Sequence, residues 1–202
     1  MIRAVAFDLM DTVVRDPYRE ALRAATGLPL DELFRRRPPQ AYPALERDEL
    51  AEADYWAAFT EHGIDVDPDA FHRTRLSGTT WLEGMAELLD ELGGTVLRAT
   101  ASNYPRWIDD LADTLLAGRF DRVLASCHLG ARKPDARFFH GLLDELGYAA
   151  AEVLFVDDRE ENVTGAREVG IAAHRYRDVT GVRRFLADHG VLPARTADRG
   201  AG

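Results

Sequence analysis

Hydrophobic positions along this chain fall into two rhythms. Short, nearly unbroken apolar runs recur as "IRAVAF", "TVLRATA", "RVLAS", "EVLFV" and "IAAHRY". Runs of this kind predict strands buried on both faces. From the second run onward, each is separated from the next by a stretch with apolar residues at helical spacing, "YPRWIDDLADTLLAG" and "PDARFFHGLLDELG" among them. "WLEGMAELLDELGG", ahead of the second run, has the same period and stops at Gly93-Gly94, a natural helix end. Strands alternating with helices predict an α/β fold: a parallel sheet covered on both faces, three layers in all.

Residues 15 to about 80 break this alternation. Nothing there reads as a strand, while "DELAEADYWAAFTEHG" and "DPDAFHRTRLSG" read as charged helices. The chain is therefore expected to make one strand, leave for a helical insert, and return to finish the sheet. Inserted after the first strand, such a segment sits over the carboxyl edge, where sheets of this kind bind ligands. The expected division is a core of residues 1–14 and 81–191, a helical cap over 15–80, and a flexible, Gly-rich tail over 192–202.

Composition narrows the partners. Acidic residues outnumber basic ones 35 to 25, for a formal charge of -10. That field repels phosphate backbones and anionic bilayers, so neither nucleic acid nor membrane is an expected partner. A local site can still oppose the global charge and take a small anion. One cysteine, Cys127, forbids an intrachain disulfide. No segment is apolar enough for a signal peptide or a membrane span, and the expected setting is the cytoplasm.

The chemistry gathers at the predicted strand ends. Asp8 follows "AVAF", Ser102-Asn103 follow "RATA", Lys133 sits in "GARKPDARF", and Asp157, Asp158 and Asn162 fall in "LFVDDREEN". In a parallel sheet these ends converge on one crevice. Each piece alone has an ordinary structural use, as a strand end, a turn or a helix cap. Together they describe a phosphoryl-transfer site. A carboxylate attacks phosphorus, splitting one hard displacement into two steps. Clustered acids raise one another's pKa values unless a hard divalent cation such as Mg²⁺ joins them. A hydroxyl and an ammonium neutralise charge on the transferring group.

These residues, in this order, resemble the haloacid dehalogenase-like hydrolases over nearly all of residues 2 to 180. The family's DxDxT motif is similar to Asp8-Leu9-Met10-Asp11-Thr12, and its Ser/Thr, Lys and acidic motifs match Ser102, Lys133 and Asp157-Asp158. The resemblance implies a Rossmann-like core and Mg²⁺-dependent hydrolysis of a small phosphorylated metabolite. It makes Asp8 the nucleophile and Lys133 its support, with Ser102 binding the phosphoryl group and Asn103 shaping the pocket. It implies metal ligation by Asp8, the Met10 backbone carbonyl and Asp158, with Asp157 and Asn162 in support. A monomer or homodimer is expected.

Met10 departs from the family pattern. Family phosphatases usually place a second Asp there, which protonates the leaving group and then activates water. A thioether does neither. Asp11, one residue on, is expected to stabilise a turn, with acid/base work as its alternative; otherwise a cap residue or the substrate must supply the proton. A narrower resemblance, through "FDLMDTVVRDPY", "SNYPRW", "ARKPDARFF" and "FVDDREEN", is to a subgroup that includes the plant chloroplast FMN hydrolase, similar in carrying Met here. It implies FMN as a candidate substrate. Two alternatives stay open: a metal-independent 2-haloacid dehalogenase, and a catalytically impaired member that binds a ligand or partner. In the cap, Arg15 is a candidate substrate contact. Tyr42, Tyr55, Trp56 and Phe59 either stack on a ring or form the cap's own core, and Arg35-Arg36-Arg37 reads either as a solvated helix end or as an attraction for an anionic substrate.

Overall fold

The computed structural model describes residues 1–193. Strands β1 (Ala4–Phe7), β2 (Leu97–Thr100), β3 (Val153–Asp157) and β4 (Ala172–Arg175) form one parallel sheet in the order β2-β1-β3-β4. β1 is central, its residues pairing with Leu97 to Thr100 on one side and Val153 to Val156 on the other. Its side chains alternate between two cores. Val5 and Phe7 face one, with Leu154 and Val156; Ala4 and Ala6 face the other, with Val153 and Phe155. Burying a residue such as Val5 or Phe7 is worth about 1.5–3 kcal/mol. The strand that leads into Asp8 is thus, with β3, one of the two inner strands of the sheet.

Helices α1 (Tyr18–Thr26), α2 (Leu30–Arg36), α3 (Ala41–Glu46), α4 (Glu52–Glu61) and α5 (Pro68–Gly78) lie between the first two strands. They are followed by α6 (Met85–Leu92), α7 (Ile108–Ala112), α8 (Ser126–Leu129), α9 (Ala136–Leu146), α10 (Glu160–Glu168) and α11 (Val179–Asp188). α6 and α11 cover the Val5 face with Leu88, Leu89, Val182 and Leu186, while α9 and α10 cover the Ala4 face with Phe138, Phe139, Val163 and Ala166. The three-layer α/β core predicted from the alternation is the one observed.

Two predicted elements come out shorter. The run "RVLAS" lies parallel to β2 through isolated bridges at Ala99–Arg122 and Ser102–Ala125, without becoming a fifth strand. A side chain has taken over the ladder: the Thr100 hydroxyl donates to Leu124 O at 2.9 Å and accepts from Leu124 N at 2.8 Å. "YPRWIDDLADTLLAG" is helical only across α7. Beyond it the Thr114 hydroxyl takes the Asp110 carbonyl at 2.6 Å, a local bond that competes with the helix ladder.

The insert leaves and returns through paired linkers. Arg15 N donates to Thr80 O at 2.8 Å, and Leu82 N donates to Val13 O at 3.0 Å. Gly78, where α5 ends, packs so closely that a Cβ there would meet Pro17 Cβ at 2.7 Å. Tyr55, Trp56, Phe59 and Phe71 of the insert are buried in the same apolar cluster as Leu88 and Val156 of the sheet. Of the tail expected over 192–202, Leu192 is instead buried in that cluster, and residues 194–202 lie outside the described ones. No helix among the described residues is long and apolar enough to cross a membrane.

Candidate active site

Asp8 stands one residue beyond β1 and is only 7 % exposed. The turn after it is set locally. Leu9 O accepts from both Val13 N and Val14 N, at 2.9 and 3.0 Å, which folds the chain back on itself. Asp11 takes the left-handed conformation at φ 58°, one that Asp tolerates better than most residues. Its Oδ1 accepts from Asp16 N at 3.0 Å, so it does stabilise the turn. The Thr12 hydroxyl donates toward Asp8 Oδ2 at 3.5 Å and accepts from Asp158 N at 3.1 Å, tying the first motif to the last.

Lys133 joins the two buried carboxylates. Its Nζ donates to Asp8 Oδ1 at 2.7 Å and to Asp157 Oδ2 at 2.6 Å, with the side chain 1 % exposed. The Lys133 backbone is itself gripped by Asn103, which donates to its carbonyl at 3.0 Å and accepts from its N–H at 2.8 Å. Asn103 was expected to shape the phosphate pocket. It lines the cavity, but both ends of its amide are committed to Lys133, which makes it a positioning residue. Asn162 donates to both Asp157 oxygens at 3.0 Å, and Arg159 N donates to Oδ1 at 2.9 Å. A glycine makes this convergence possible: a Cβ on Gly165 would meet Pro134 O at 2.5 Å. α10 can therefore lie against the chain just past Lys133 and bring Asn162, one turn earlier, onto Asp157.

Electrostatics single out the same group. Burial pushes the Asp8 carboxyl up to about 7, against the pull of Lys133 and with the push of Asp157. Burial also raises Asp158, with Asp157 and Asp11 adding to it. For Lys133, burial works against the charge, yet Asp8 and Asp157 reverse it and hold the ammonium above its ordinary range. Carboxylate oxygens of Asp8, Asp157 and Asp158 come within 4.8 Å of one another. One ammonium thus serves three carboxylates, an oxygen-only set short of positive charge. That set fits a hard divalent cation such as Mg²⁺. Among the described residues nothing donates to the Asp158 carboxylate, and no backbone N–H donates to the Met10 carbonyl. Those two groups and Asp8 are free to hold the ion. Asp157 is saturated and suits a supporting role.

Above these residues lies a cavity of about 370 Å³, lined from below by Asp8, Met10, Ser102, Lys133, Asp158 and Asn162. Ser102, 1 % exposed, faces it from the end of β2. The insert supplies the opposite wall, with Tyr18, Arg19, Phe34, Arg37, Tyr42 and Glu46. Arg15 is not among the lining residues. Its guanidinium pairs with Glu20 and donates to Gly78 O at 3.3 Å, bracing the base of the insert, and so it is not placed for substrate. His128 is bonded to Ala125 N and Asp109, and burial pushes the Cys127 thiol up to about 11; both are structural.

The sequence did not mark Glu46, Arg19 or Phe34 as lining the site, and offered Arg37 only as part of an arginine run. Phase around α2 separates the arginine run: Arg35 and Arg36 pair with Asp31 and Glu32 one turn back, while Arg37, at the helix end, stacks on the Phe34 ring at 4.5 Å. Of the insert's aromatics, Tyr55, Trp56 and Phe59 are core, and Tyr42 reaches the cavity.

Known proteins are similar to this chain in sequence and in fold. The chain is 32 % identical over 187 residues to flavin mononucleotide hydrolase 1, a chloroplast protein of Arabidopsis thaliana, covering 92 % of this chain and 76 % of that one. It superposes on a HAD-like family hydrolase from Porphyromonas gingivalis with a TM-score of 0.78 at 22 % identity, covering 92 % and 98 % of the two chains. On a HAD family enzyme from Bacteroides thetaiotaomicron, in complex with magnesium and inorganic phosphate, the TM-score is 0.72 at 17 % identity, covering 88 % and 95 %. A family model described as haloacid dehalogenase-like hydrolase matches residues 2–170, and the chain belongs to that family of hydrolases.

Proposed function

We propose that this hydrolase cleaves a small phosphate monoester with the help of Mg²⁺, forming an aspartyl-phosphate on Asp8. The observation that carries the reading is the contrast between two neighbouring acids: Asp157 is fully bonded, while Asp158 stands without a donor beside Asp8. A dehalogenase that works without metal has no use for that free carboxylate. When bound, Mg²⁺ would offset the crowded negative charge and polarise a phosphoryl oxygen. Asp8, Asp158 and the Met10 carbonyl would hold it.

The rest of the work belongs to the chain. Lys133 keeps one Asp8 oxygen ionised and fixed, leaving the other to attack phosphorus. Ser102 and the Lys133 ammonium face the phosphoryl oxygens and stabilise charge as it moves. Residues 15–80 act as a cap that excludes bulk water and selects the leaving group. A capped cavity of about 370 Å³ favours a metabolite over a phosphoprotein. FMN is the leading candidate, on the flavin mononucleotide hydrolase relative and on a cap wall that presents Phe34, Tyr18 and Tyr42 to a flat ring. The protein would act in the cytoplasm as a monomer or homodimer, on neither nucleic acid nor membrane.

The test is phosphate release from a panel of metabolite phosphates including FMN, in Mg²⁺ or in EDTA, with Asp8→Asn as control. Turnover that needs Mg²⁺ and falls by about 10⁴-fold or more in Asp8→Asn is expected. Folded protein that binds Mg²⁺ but releases no phosphate would favour a ligand-binding role, with Met10 as the reason. Halide release in EDTA would overturn the reading outright.

A further inference from the structure

Met10 leaves a vacancy in the chemistry, since a departing alkoxide needs a proton and a thioether has none to give. The titratable groups around the cavity narrow the choice of a substitute. Asp8 and Asp158 are spoken for by nucleophilic attack and cation binding. Asp11 and Asp16 serve the turn, accepting from Asp16 N at 3.0 Å and Tyr18 N at 2.8 Å respectively. Tyr18, Tyr42 and Tyr104 are poor acids, since burial pushes Tyr18 and Tyr104 up to about 12 and holds Tyr42 well above the ordinary range of a phenol. Glu46 is left.

Glu46 ends α3 and is 3 % exposed, yet it lines the cavity opposite Asp8. Its Oε2 accepts from Arg132 Nε at 2.9 Å, and among the described residues nothing donates to Oε1. Arg132 immediately precedes Lys133, so a single turn of chain sends one cation to Glu46 and the next to Asp8. The cap carboxyl is thereby registered against the nucleophile. We propose that Glu46 is the proton donor and acceptor of the reaction, doing from the cap what Met10 cannot do from the core.

This rests on the phosphatase reading above. In the first step an Asp8 oxygen bonds to phosphorus and the P–O bond to the leaving group breaks. The electron pair goes to the departing oxygen, which takes the Glu46 proton. In the second step water bonds to the same phosphorus and gives its proton back to Glu46. The P–O bond to Asp8 breaks, releasing inorganic phosphate and the free carboxylate. Burial pushes Glu46 up to about 7, with Arg132 opposing, and an acid poised near ambient pH serves both steps.

Leaving-group chemistry separates this role from a structural latch. p-Nitrophenyl phosphate releases a stable phenolate that needs no proton, whereas an alkyl phosphate such as FMN does need one. In Glu46→Gln, the single-turnover rate of leaving-group release from the best alkyl phosphate is expected to fall by about 10²-fold or more, with that from p-nitrophenyl phosphate within about threefold of wild type, while water attack on the common aspartyl-phosphate slows equally for both. Met10→Asp in the same background is expected to recover alkyl turnover. Equal losses in leaving-group release on both esters, or none on either, would overturn the proposal and leave the phosphatase reading intact. So would a wild-type enzyme that turns over p-nitrophenyl phosphate alone. A wild type inert on every ester would sink both readings together. Should Glu46→Gln fail to fold, Glu46→Asp carries the test, with a smaller loss in single-turnover leaving-group release expected on the alkyl ester only.

Discussion

The two walls of the cavity are built on opposite plans. On the core side every carboxylate but Asp158 is held by hydrogen bonds: Lys133 bridges Asp8 and Asp157, Asn162 and Arg159 N complete Asp157, and Asp16 N holds Asp11. On the cap side Arg19 and Arg37 have no carboxylate within ion-pair distance among the described residues and lie over one ring, Phe34, at 5.7 and 4.5 Å. The core wall stands on strand ends fixed by the sheet; the cap wall stands on α1 and the end of α2, outside it. The difference separates two tasks. Chemistry requires groups held in place before substrate arrives, and recognition requires groups whose partner is the substrate. Glu46 crosses the divide, a cap residue anchored by a core arginine.

Removing Lys133 should break the core plan with the largest effect. Lys133→Met leaves two buried carboxylates uncompensated, and about 3–5 kcal/mol of stability should be lost in EDTA. Denaturant unfolding measures it; a wild-type midpoint would show that the pairing does not hold the site together. Gly165→Ala comes next. A Cβ 2.5 Å from Pro134 O forces α10 outward, at about 1–3 kcal/mol, and should draw Asn162 away from Asp157. Turnover should drop with it, read as kcat on the best ester.

The cap plan is sharpened by a smaller change. Arg37→Ala should raise KM about tenfold with kcat and melting temperature unchanged, in line with about 0.5–2 kcal/mol for a cation over a ring or its ligand equivalent. A fall in kcat with KM untouched would mean that Arg37 belongs to the chemistry. The smallest effect concerns Glu46. Its folded pKa is raised, from 4.5 to about 7, so the folded state binds its proton more tightly than the unfolded state. The stability this adds is present below about pH 4.5 and is lost as pH rises through about 7. The melting temperature of wild type relative to Glu46→Gln should therefore decline across that window, and a flat difference would place the carboxyl in a wetter setting.

Much of the fold could be read from period alone, because the strand positions on β1 and β3 are apolar on both faces and only a doubly covered sheet accepts that. The run "RVLAS" misled for a reason that period does not carry: the Thr100 hydroxyl takes both Leu124 backbone groups, and ladder geometry gives way to a side-chain bridge. The site's catalytic half could also be read, since each motif falls at a strand end and strand ends in a parallel sheet must converge. Asn103 lines the cavity, and its amide bonds to the Lys133 backbone could not be read from sequence. Arg15 was placed at the hinge, and there it pairs with Glu20 instead of turning inward.

By itself, then, the sequence determined the layered core, the insertion after the first strand and the acids, lysine and serine that meet above β1. These follow from local periodicity and from a topology that leaves strand ends only one edge to share. Tertiary structure alone decided which cap residues face that edge. Glu46 looks like any charged helix end, and Arg37 like the last of a solvated run. Their roles depend on how α2 and α3 are rotated against the core, set by long-range packing of Tyr55, Trp56 and Phe71 with Trp107 and by the grip of Arg132. No local pattern encodes that rotation, because it belongs to the contact between two parts of the chain and to neither part alone.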